Sequence, residues 1–202
     1  MRGANGLGFL LLAQLVLCSE ARTQELRTDD GAWRAGVYSF SDETGGFRIL
    51  GVSGTGKRDD PVVISQAIAG AGPVTLVIRI HAPIRPFSSI GDDANGFLHL
   101  RLVTRNDSGL PWVEFEFELQ EKRGTPSVYG DGLSFDQRRQ DSETVFADAY
   151  ARFRDSFEPF DRLRFYEGVI DPERTGRFGF LITDFTPVVE FYLVQDPRVP
   201  TG

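Results

Sequence analysis

The stretch from Asn106 to Gln120, NDSGLPWVEFEFELQ, indicates how this chain folds. It opens on the turn formers of residues 106–109 and continues through Pro111 into a run in which apolar and acidic residues alternate. A period of two is that of a β-strand. One predicted face carries Val113, Phe115, Phe117 and Leu119, and the other carries Glu114, Glu116 and Glu118. Such a strand packs one side on a core and wets the other, as antiparallel sheets do.

Similar runs recur along the chain between clusters of glycine, proline, asparagine and aspartate. The predicted strands cover residues 33–40, 47–52, 62–68, 74–80, 98–103, 113–119, 163–169, 177–185 and 188–194. The Asn106 turn is predicted to join the strands 98–103 and 113–119 as a β-hairpin with a longer loop. Eight or nine short strands without βαβ alternation predict a mostly β fold, an antiparallel β-sandwich of immunoglobulin-like or jelly-roll-like type.

One segment has a different period. Between residues 143 and 157 the larger apolar side chains follow the i, i+3, i+4, i+7 spacing of a single helical face. Its members are Phe146, Ala149, Tyr150, Phe153 and Phe157. This spacing predicts one short amphipathic helix near 143–157, capped by Asp141 or Ser142 and ended by Pro159.

The first 21 residues have the pattern of a secretory signal peptide. Arg2 precedes an apolar run of eleven residues, 7–17, and Ser19 and Ala21 supply the small residues of a cleavage site. We expect cleavage after Ala21, leaving residues 22–202 as a single β-sandwich domain, periplasmic or extracellular. A lipid anchor at Cys18 is disfavoured, because a lipobox has a small residue where Leu17 stands.

Charge and hydropathy exclude several classes of partner. The formal net charge is −7, and an acidic protein repels phosphate backbones, so we expect no nucleic-acid binding. No apolar run of about 18 residues follows the leader, so the sequence predicts no transmembrane segment. Cys18 is the single cysteine, which leaves the predicted mature domain without a disulfide.

Two motifs are weaker than they first look. Residues 51–57, GVSGTGK, match the start of a phosphate-binding P-loop, but Arg58 replaces the required hydroxyl and Pro61 would interrupt the following helix. We interpret this segment as a flexible loop. His81 and His99 are the only histidines, too few for a three-histidine zinc site. If their strands were neighbours, the two imidazoles could lie near each other.

Acidic residues supply the remaining candidate sites. The loops around residues 91–96 and 131–136 concentrate oxygen ligands of the kind calcium prefers, although Asp and Asn also favour plain turns. The candidate calcium ligands are Asp92, Asp93, Asp131 and Asp136. A carbohydrate-active hydrolase would use two carboxylates drawn from Glu114, Glu116 and Asp131. Four aromatic residues could offer a sugar-stacking platform or belong to the core: Trp33, Tyr38, Trp112 and Tyr129.

The segment Asn106 to Leu119 resembles a part of the loosely related, exported immunoglobulin-like β-sandwich modules of bacteria. In those modules an N-x-[ST]-G turn precedes W-x-x-F-x-x-x-L, and here the matching residues run from Asn106 through Trp112 and Phe115 to Leu119. Residues 131–135, 160–165 and 179–184 follow in the same order. The resemblance implies the fold and a location outside the cytoplasm, and it implies no catalytic residues.

The sequence therefore predicts an exported, non-catalytic β-sandwich that serves as a structural or binding module in the bacterial periplasm or outside the cell. Its partner would be an extracellular glycan or another surface protein, and no cofactor is expected unless calcium binds. Two alternatives stay open: a secreted hydrolase with paired carboxylates and a calcium-dependent adhesion module.

Overall fold

Two β-sheets pack face to face and enclose one hydrophobic core. The computed structural model describes residues 28, 31–89, 92–128, 130–136, 144–156 and 158–200. The predicted signal peptide with Cys18 lies outside these residues, as do Tyr129 and Phe157. Within the described ranges the chain contains no α-helix, and hence none long and apolar enough to cross a membrane. The predicted β-sandwich architecture is confirmed at this level.

Thirteen strands occur in the described part of the chain. They are β1 (Trp33–Ala35), β2 (Tyr38–Ser41), β3 (Phe47–Ser53), β4 (Val62–Ile68), β5 (Val74–Ile80), β6 (Phe97–Asn106), β7 (Glu114–Gln120), β8 (Leu133–Phe135), β9 (Phe146–Ala147), β10 (Tyr150–Ser156), β11 (Arg162–Gly168), β12 (Thr175–Asp184) and β13 (Glu190–Arg198). The seven-stranded sheet has the order β1-β2-β5-β13-β7-β11-β10. The six-stranded sheet has the order β3-β4-β6-β12-β8, with β9 beside β12. All strand pairs are antiparallel except β4 with β6, which is parallel.

The predicted number of strands, eight or nine, is too low. The predicted strand at 33–40 divides into β1 and β2 because Gly36 adopts a φ of +56°, a left-handed conformation that forms a turn. Three further strands, β8, β9 and β10, come from segments without a clear period of two. Their pairing with β12 and β11 shows that neighbouring strands, more than local pattern, make them extended.

The helix predicted near 143–157 is wrong, because β9 and β10 lie there instead. The aromatic residues that would have shared one helical face go to different places. Phe146 covers the outer face of the six-stranded sheet at Gly179, while the hydroxyl of Tyr150 reaches inward and donates to the carbonyl of Trp112 at 2.9 Å. Pairing of β10 along β11 satisfies the backbone that a helix would have satisfied internally.

The hairpin predicted at the Asn106 turn is also wrong. β6 belongs to the six-stranded sheet and β7 to the seven-stranded one, so the segment between them carries the chain from one sheet to the other. Asn106 is fully buried at this corner. Its amide nitrogen donates to the carbonyls of Leu110 (2.8 Å) and Ile170 (2.9 Å), and its oxygen accepts from the backbone N–H and hydroxyl of Ser108. The Ser108 hydroxyl in turn accepts from Trp112 Nε1 at 2.9 Å.

Phenylalanine rings join the two sheets through the core. Phe115 and Phe117 of β7 face Phe178 and Phe180 of β12, with ring centroids 4.7 Å apart for Phe115–Phe178 and 4.9 Å for Phe117–Phe180. Burial of each such side chain contributes about 1.5–3 kcal/mol to stability.

A buried amide pair adds a second link between the sheets. Gln66 on β4 donates to the Gln195 side-chain oxygen of β13 at 2.5 Å, and Gln195 returns a hydrogen bond at 3.2 Å. Both side chains are shielded from water, so each satisfies polar atoms of the other that would otherwise be costly to bury.

Replacing Asn106 should destabilise the corner. Asn106→Asp removes both amide donors and places a charge in a buried site, so we expect a loss of about 2–4 kcal/mol in the free energy of unfolding, measured in urea. The neighbouring Asp107→Asn changes an exposed side chain and is expected to leave the midpoint nearly unchanged. Equal stability of the two variants would show that the buried Asn106 network does not hold the crossing.

Candidate ligand-binding site

The acidic face of β7 is only partly wetted, in contrast to the expectation of a fully solvated stripe. The side chains of Glu114, Glu116 and Glu118 are 28%, 14% and 12% exposed. Each is held by an arginine on a neighbouring strand: Arg164 contacts Glu114, Arg198 contacts Glu116 at 3.2 Å, and Arg162 donates to Glu118 at 2.7 Å. This surface is a ladder of cross-strand ion pairs.

The hydrolase alternative gains no support from this arrangement. Glu114 and Glu116 use their oxygens to bind arginine on the outer face of the seven-stranded sheet. Asp131 precedes β8 of the other sheet, where its carboxylate accepts from the N–H groups of Val128 and Leu133 and closes a turn. The structure does not bring the three proposed acids together.

The four candidate calcium ligands lie in two separate segments of the chain. Asp93 is buried, accepts from the Ser88 hydroxyl at 2.9 Å and lies 3.5 Å from the Arg85 guanidinium. Asp92 is beside it and exposed, whereas Asp131 and Asp136 flank β8. Among the residues that the structure describes, no group of three or more histidine, cysteine, aspartate or glutamate side chains is placed to hold a metal ion.

Asp92 and Asp93 line a cavity of about 700 Å³ at one end of the sandwich, which we call the loop-end cavity. Its volume lies in the range of small-molecule sites. Strand β1, the β1–β2 turn, the β3–β4 loop, the β5–β6 loop and the start of β6 all contribute to its wall. The lining side chains used below are Arg34, Tyr38, Lys57, Arg58, His81, Ser88, Ser89, Asp92, Asp93, Asn95, Phe97 and His99.

Close backbone contacts hold the two walls of the cavity together. Gly36, in the β1–β2 turn, lies so near the β3–β4 loop that an added Cβ would stand 2.4 Å from the Thr55 carbonyl oxygen. Gly56 accepts a hydrogen bond from the His99 backbone N–H at 2.9 Å, which ties the same loop to β6. The segment interpreted from sequence as a flexible loop is therefore anchored on both sides of the cavity.

Both histidines line this cavity, although their strands are not neighbours. His81 follows β5 of one sheet, and His99 lies on β6 of the other. A hydrogen bond of 2.6 Å joins His81 Nε2 to the hydroxyl of Ser39, which is only 2% exposed and so orients the ring from beneath. Burial, and then the charge of Arg58, lower the pKa of His99 and so favour its neutral imidazole.

Cationic side chains at the cavity are left without acidic partners. Within the described ranges, no carboxylate forms a salt bridge with Arg34, Lys57 or Arg58. Asp92 and Asp93 line the same cavity, and Asp93 is already engaged by Arg85 and Ser88. The lining therefore carries three cations against the two carboxylates of Asp92 and Asp93, and this surplus of positive charge, in a chain of net charge −7, favours an anionic ligand.

Three phenylalanine side chains cluster at and beside the cavity. Phe97 lines the cavity, and Phe87 packs near it with ring centroids 6.1 Å apart, while Phe185 stacks on Phe87 at 5.4 Å. Phe87 is 65% exposed and adopts a φ of +63°, a conformation that costs energy in a non-glycine residue. The surrounding hydrogen bonds of the β5–β6 loop, such as Phe87 N–H to the Asn95 carbonyl at 3.0 Å, keep this ring at the surface.

The aromatic residues considered as a sugar platform have a different role. Trp33, Tyr38 and Trp112 are buried in the core, at 7%, 5% and 0% exposure, while Tyr129 lies outside the described residues. Their burial supports the core interpretation. The exposed ring next to a cavity is Phe87, which the sequence analysis did not single out. Its place between Pro86 and Ser88 carries no periodic signal that would have revealed it.

Two buried groups, Tyr38 in the lining of the loop-end cavity and Asp184 at the end of β12, have raised pKa values. Burial raises the pKa of Tyr38 to about 12, and the nearby charge of Asp184 acts in the same direction. Burial likewise raises the pKa of Asp184 to about 6, against opposing backbone hydrogen bonds from Thr186 and Val188. The ionised form of Asp184 is therefore disfavoured in the folded protein.

This pKa gives a pH-dependent stability. Because the folded-state pKa of Asp184 lies above that of an unfolded aspartate, near 3.8, its contribution is fully present below about pH 4 and is lost as the pH rises through about 6. Asp184→Asn keeps an acceptor for the Thr186 N–H and cannot ionise. In urea unfolding we expect the variant to exceed the wild type in stability at pH 7 and to match it below pH 4.

The exposed Asp171→Asn provides a matched charge change for this experiment. We expect it to show no gain in stability between pH 4 and pH 7. A gain as large as that of Asp184→Asn would attribute the effect to net charge and would contradict the role given to burial.

The chain was compared with protein-family models, curated proteins and solved structures. No protein-family model matches the chain, and no curated protein or solved structure matches it. The resemblance to exported immunoglobulin-like modules stays a prediction.

Proposed function

We propose that this protein is an exported, non-catalytic β-sandwich module of immunoglobulin-like or jelly-roll-like type that binds an acidic carbohydrate in the loop-end cavity. The observation that carries the proposal is the meeting of both histidines, the Phe97 ring and three cations that form no salt bridge among the described residues around one cavity of about 700 Å³. The exposed ring of Phe87 packs against Phe97 beside it. The predicted signal peptide supports a periplasmic or extracellular location, where such ligands occur.

The chemistry of the wall fits a carboxylated sugar better than a purely apolar ligand. Lys57 and Arg58 can bind a carboxylate, and Arg34 adds a third positive charge to the lining. The His99 imidazole and the exposed Ser89 hydroxyl can supply donors and acceptors for sugar hydroxyls. The exposed ring of Phe87, which packs against Phe97 of the lining, can pack against the C–H face of a pyranose.

Binding of a monosaccharide tests the proposal directly. We expect the mature protein, residues 22–202, to bind glucuronate with a Kd on the order of 1 mM, about −4 kcal/mol, and to bind neutral glucose at least about tenfold more weakly because it lacks the carboxylate. Isothermal titration calorimetry or NMR titration measures both. The double variant Lys57→Ala, Arg58→Ala should lose most of the glucuronate binding.

The chain offers a matched control for that variant. Lys122 and Arg123 form a second exposed lysine–arginine pair, on the β7–β8 connection and away from the cavity lining. The variant Lys122→Ala, Arg123→Ala has the same change of net charge and should bind glucuronate as the wild type does. Equal losses in the two double variants, or undiminished binding by the cavity variant, would refute the proposed site.

Calcium-dependent adhesion is the second candidate, since Asp92, Asp93 and Asn95 share one wall of the same cavity. We expect equal thermal midpoints in calcium and in a chelator, because Asp93 is already occupied by Ser88 and Arg85. A ligand that binds the native state raises the midpoint. A rise of several degrees in calcium, abolished by Asp92→Asn, would favour the calcium candidate instead.

A further inference from the structure

A second cavity, of about 440 Å³, lies on the outer face of the six-stranded sheet. We call it the sheet-face cavity. The residues that matter for its chemistry are Arg58, His99, Arg101, Thr144, Phe146 and Gly179. The sequence predicted no site on this face, and the proposed binding in the loop-end cavity does not use it.

The two cavities adjoin. Arg58 and His99 line both of them, so one guanidinium and one imidazole form their common border. From His99 the outer face of β6 continues to Arg101, two residues further along the strand and so about 7 Å away. A ligand that leaves the loop-end cavity past Arg58 would therefore meet a second cationic position one strand repeat further on.

The sheet-face cavity has an aromatic wall built by a specific close contact. The ring of Phe146 lies against the backbone of Gly179, where an added Cβ would stand 2.1 Å from ring atom Cε1. Pairing of β9 with β12 at Phe146 and Gly179 holds the ring in this place. Only a residue without a side chain at position 179 allows that approach.

Arg101 completes this wall. Its Cζ atom lies 5.9 Å from the centroid of the Phe146 ring, within the range of a cation–π contact. No carboxylate among the described residues forms a salt bridge with Arg101. Its side chain is exposed, so the planar set of donors stays available to an anionic group beside an aromatic surface.

We propose that the ligand is a linear acidic polysaccharide that occupies both cavities, with one carboxylate at Lys57 and Arg58 and a later one at Arg101 beside Phe146. This inference rests on the proposed function and specifies its ligand. A chain with about one charge per sugar suits two separate cationic positions. A polymer as densely charged as a nucleic acid would be repelled by the acidic remainder of the surface.

A comparison of chain lengths tests the inference. The probes are glucuronate, a linear hexamer of glucuronic acid and a neutral linear hexamer of glucose, each titrated into the mature protein. We expect the acidic hexamer to bind at least about thirtyfold more tightly than the monomer, beyond the roughly sixfold that the number of sugar units alone would give. The neutral hexamer should show no comparable gain.

Two variants locate the second contact. Arg101→Gln and Phe146→Ala should each weaken hexamer binding by about tenfold, the effect of losing one good contact, and should leave glucuronate binding unchanged. Arg101 is exposed, so Arg101→Gln decides the question even if Phe146→Ala lowers the stability of the protein. Arg48→Gln is the control, because Arg48 is an exposed arginine of the same sheet outside the lining of both cavities.

The outcomes separate the two proposals. If glucuronate binds but the hexamer gains no more than the statistical factor, the extended site is overturned and the loop-end site stands. If glucuronate does not bind at all, the proposed function itself fails. If Arg48→Gln weakens hexamer binding as much as Arg101→Gln does, the polymer adsorbs through general charge, and the sheet-face cavity is not its site.

Discussion

The crossing of the chain between the two sheets at Asn106 decides which strands become neighbours. A fully buried amide makes four hydrogen bonds there, and β7 leaves the corner into the seven-stranded sheet instead of folding back on β6. Phe115 and Phe117 can then face Phe178 and Phe180 across the core. With β7 placed between β13 and β11, its glutamates meet arginines from both sides.

Charge is distributed unevenly over the resulting surface. On the outer face of the seven-stranded sheet, arginines such as Arg162 and Arg198 are paired with the glutamates of β7, so this face is largely self-neutralised. At the loop end and on the adjoining face of the other sheet, Lys57, Arg58 and Arg101 lack such partners among the described residues. The proposed binding of an acidic carbohydrate follows from that difference, since only uncompensated cations remain available to a ligand.

Local pattern predicted the strands with a clear period of two, and it failed where contacts distant in sequence overrule it. Residues 146–153 have helical spacing, yet the exposed edge of β11 and the gap over Gly179 hold them extended. The candidate site shows the same limit. From the sequence, His81 and His99 were expected to lie near each other only if their strands were neighbours. Their strands belong to different sheets, and the two residues line one cavity where the ends of the sheets meet. The sequence does not show that Lys57 and Arg58, in the rejected P-loop segment, lie beside His99. They do so because the Gly56 carbonyl accepts a hydrogen bond from the His99 backbone N–H.

The sequence by itself determined the β class, the core and surface sides of the strands that have a period of two, and the predicted export signal, because period, turn chemistry and leader composition are all local properties. It could not determine the order of the strands, the crossing at Asn106 or the adjoining cavities. Those depend on contacts between residues far apart in the chain, such as Gly36 with Thr55 and Phe146 with Gly179. Tertiary structure alone decided which charges would be paired and which would remain free for a ligand.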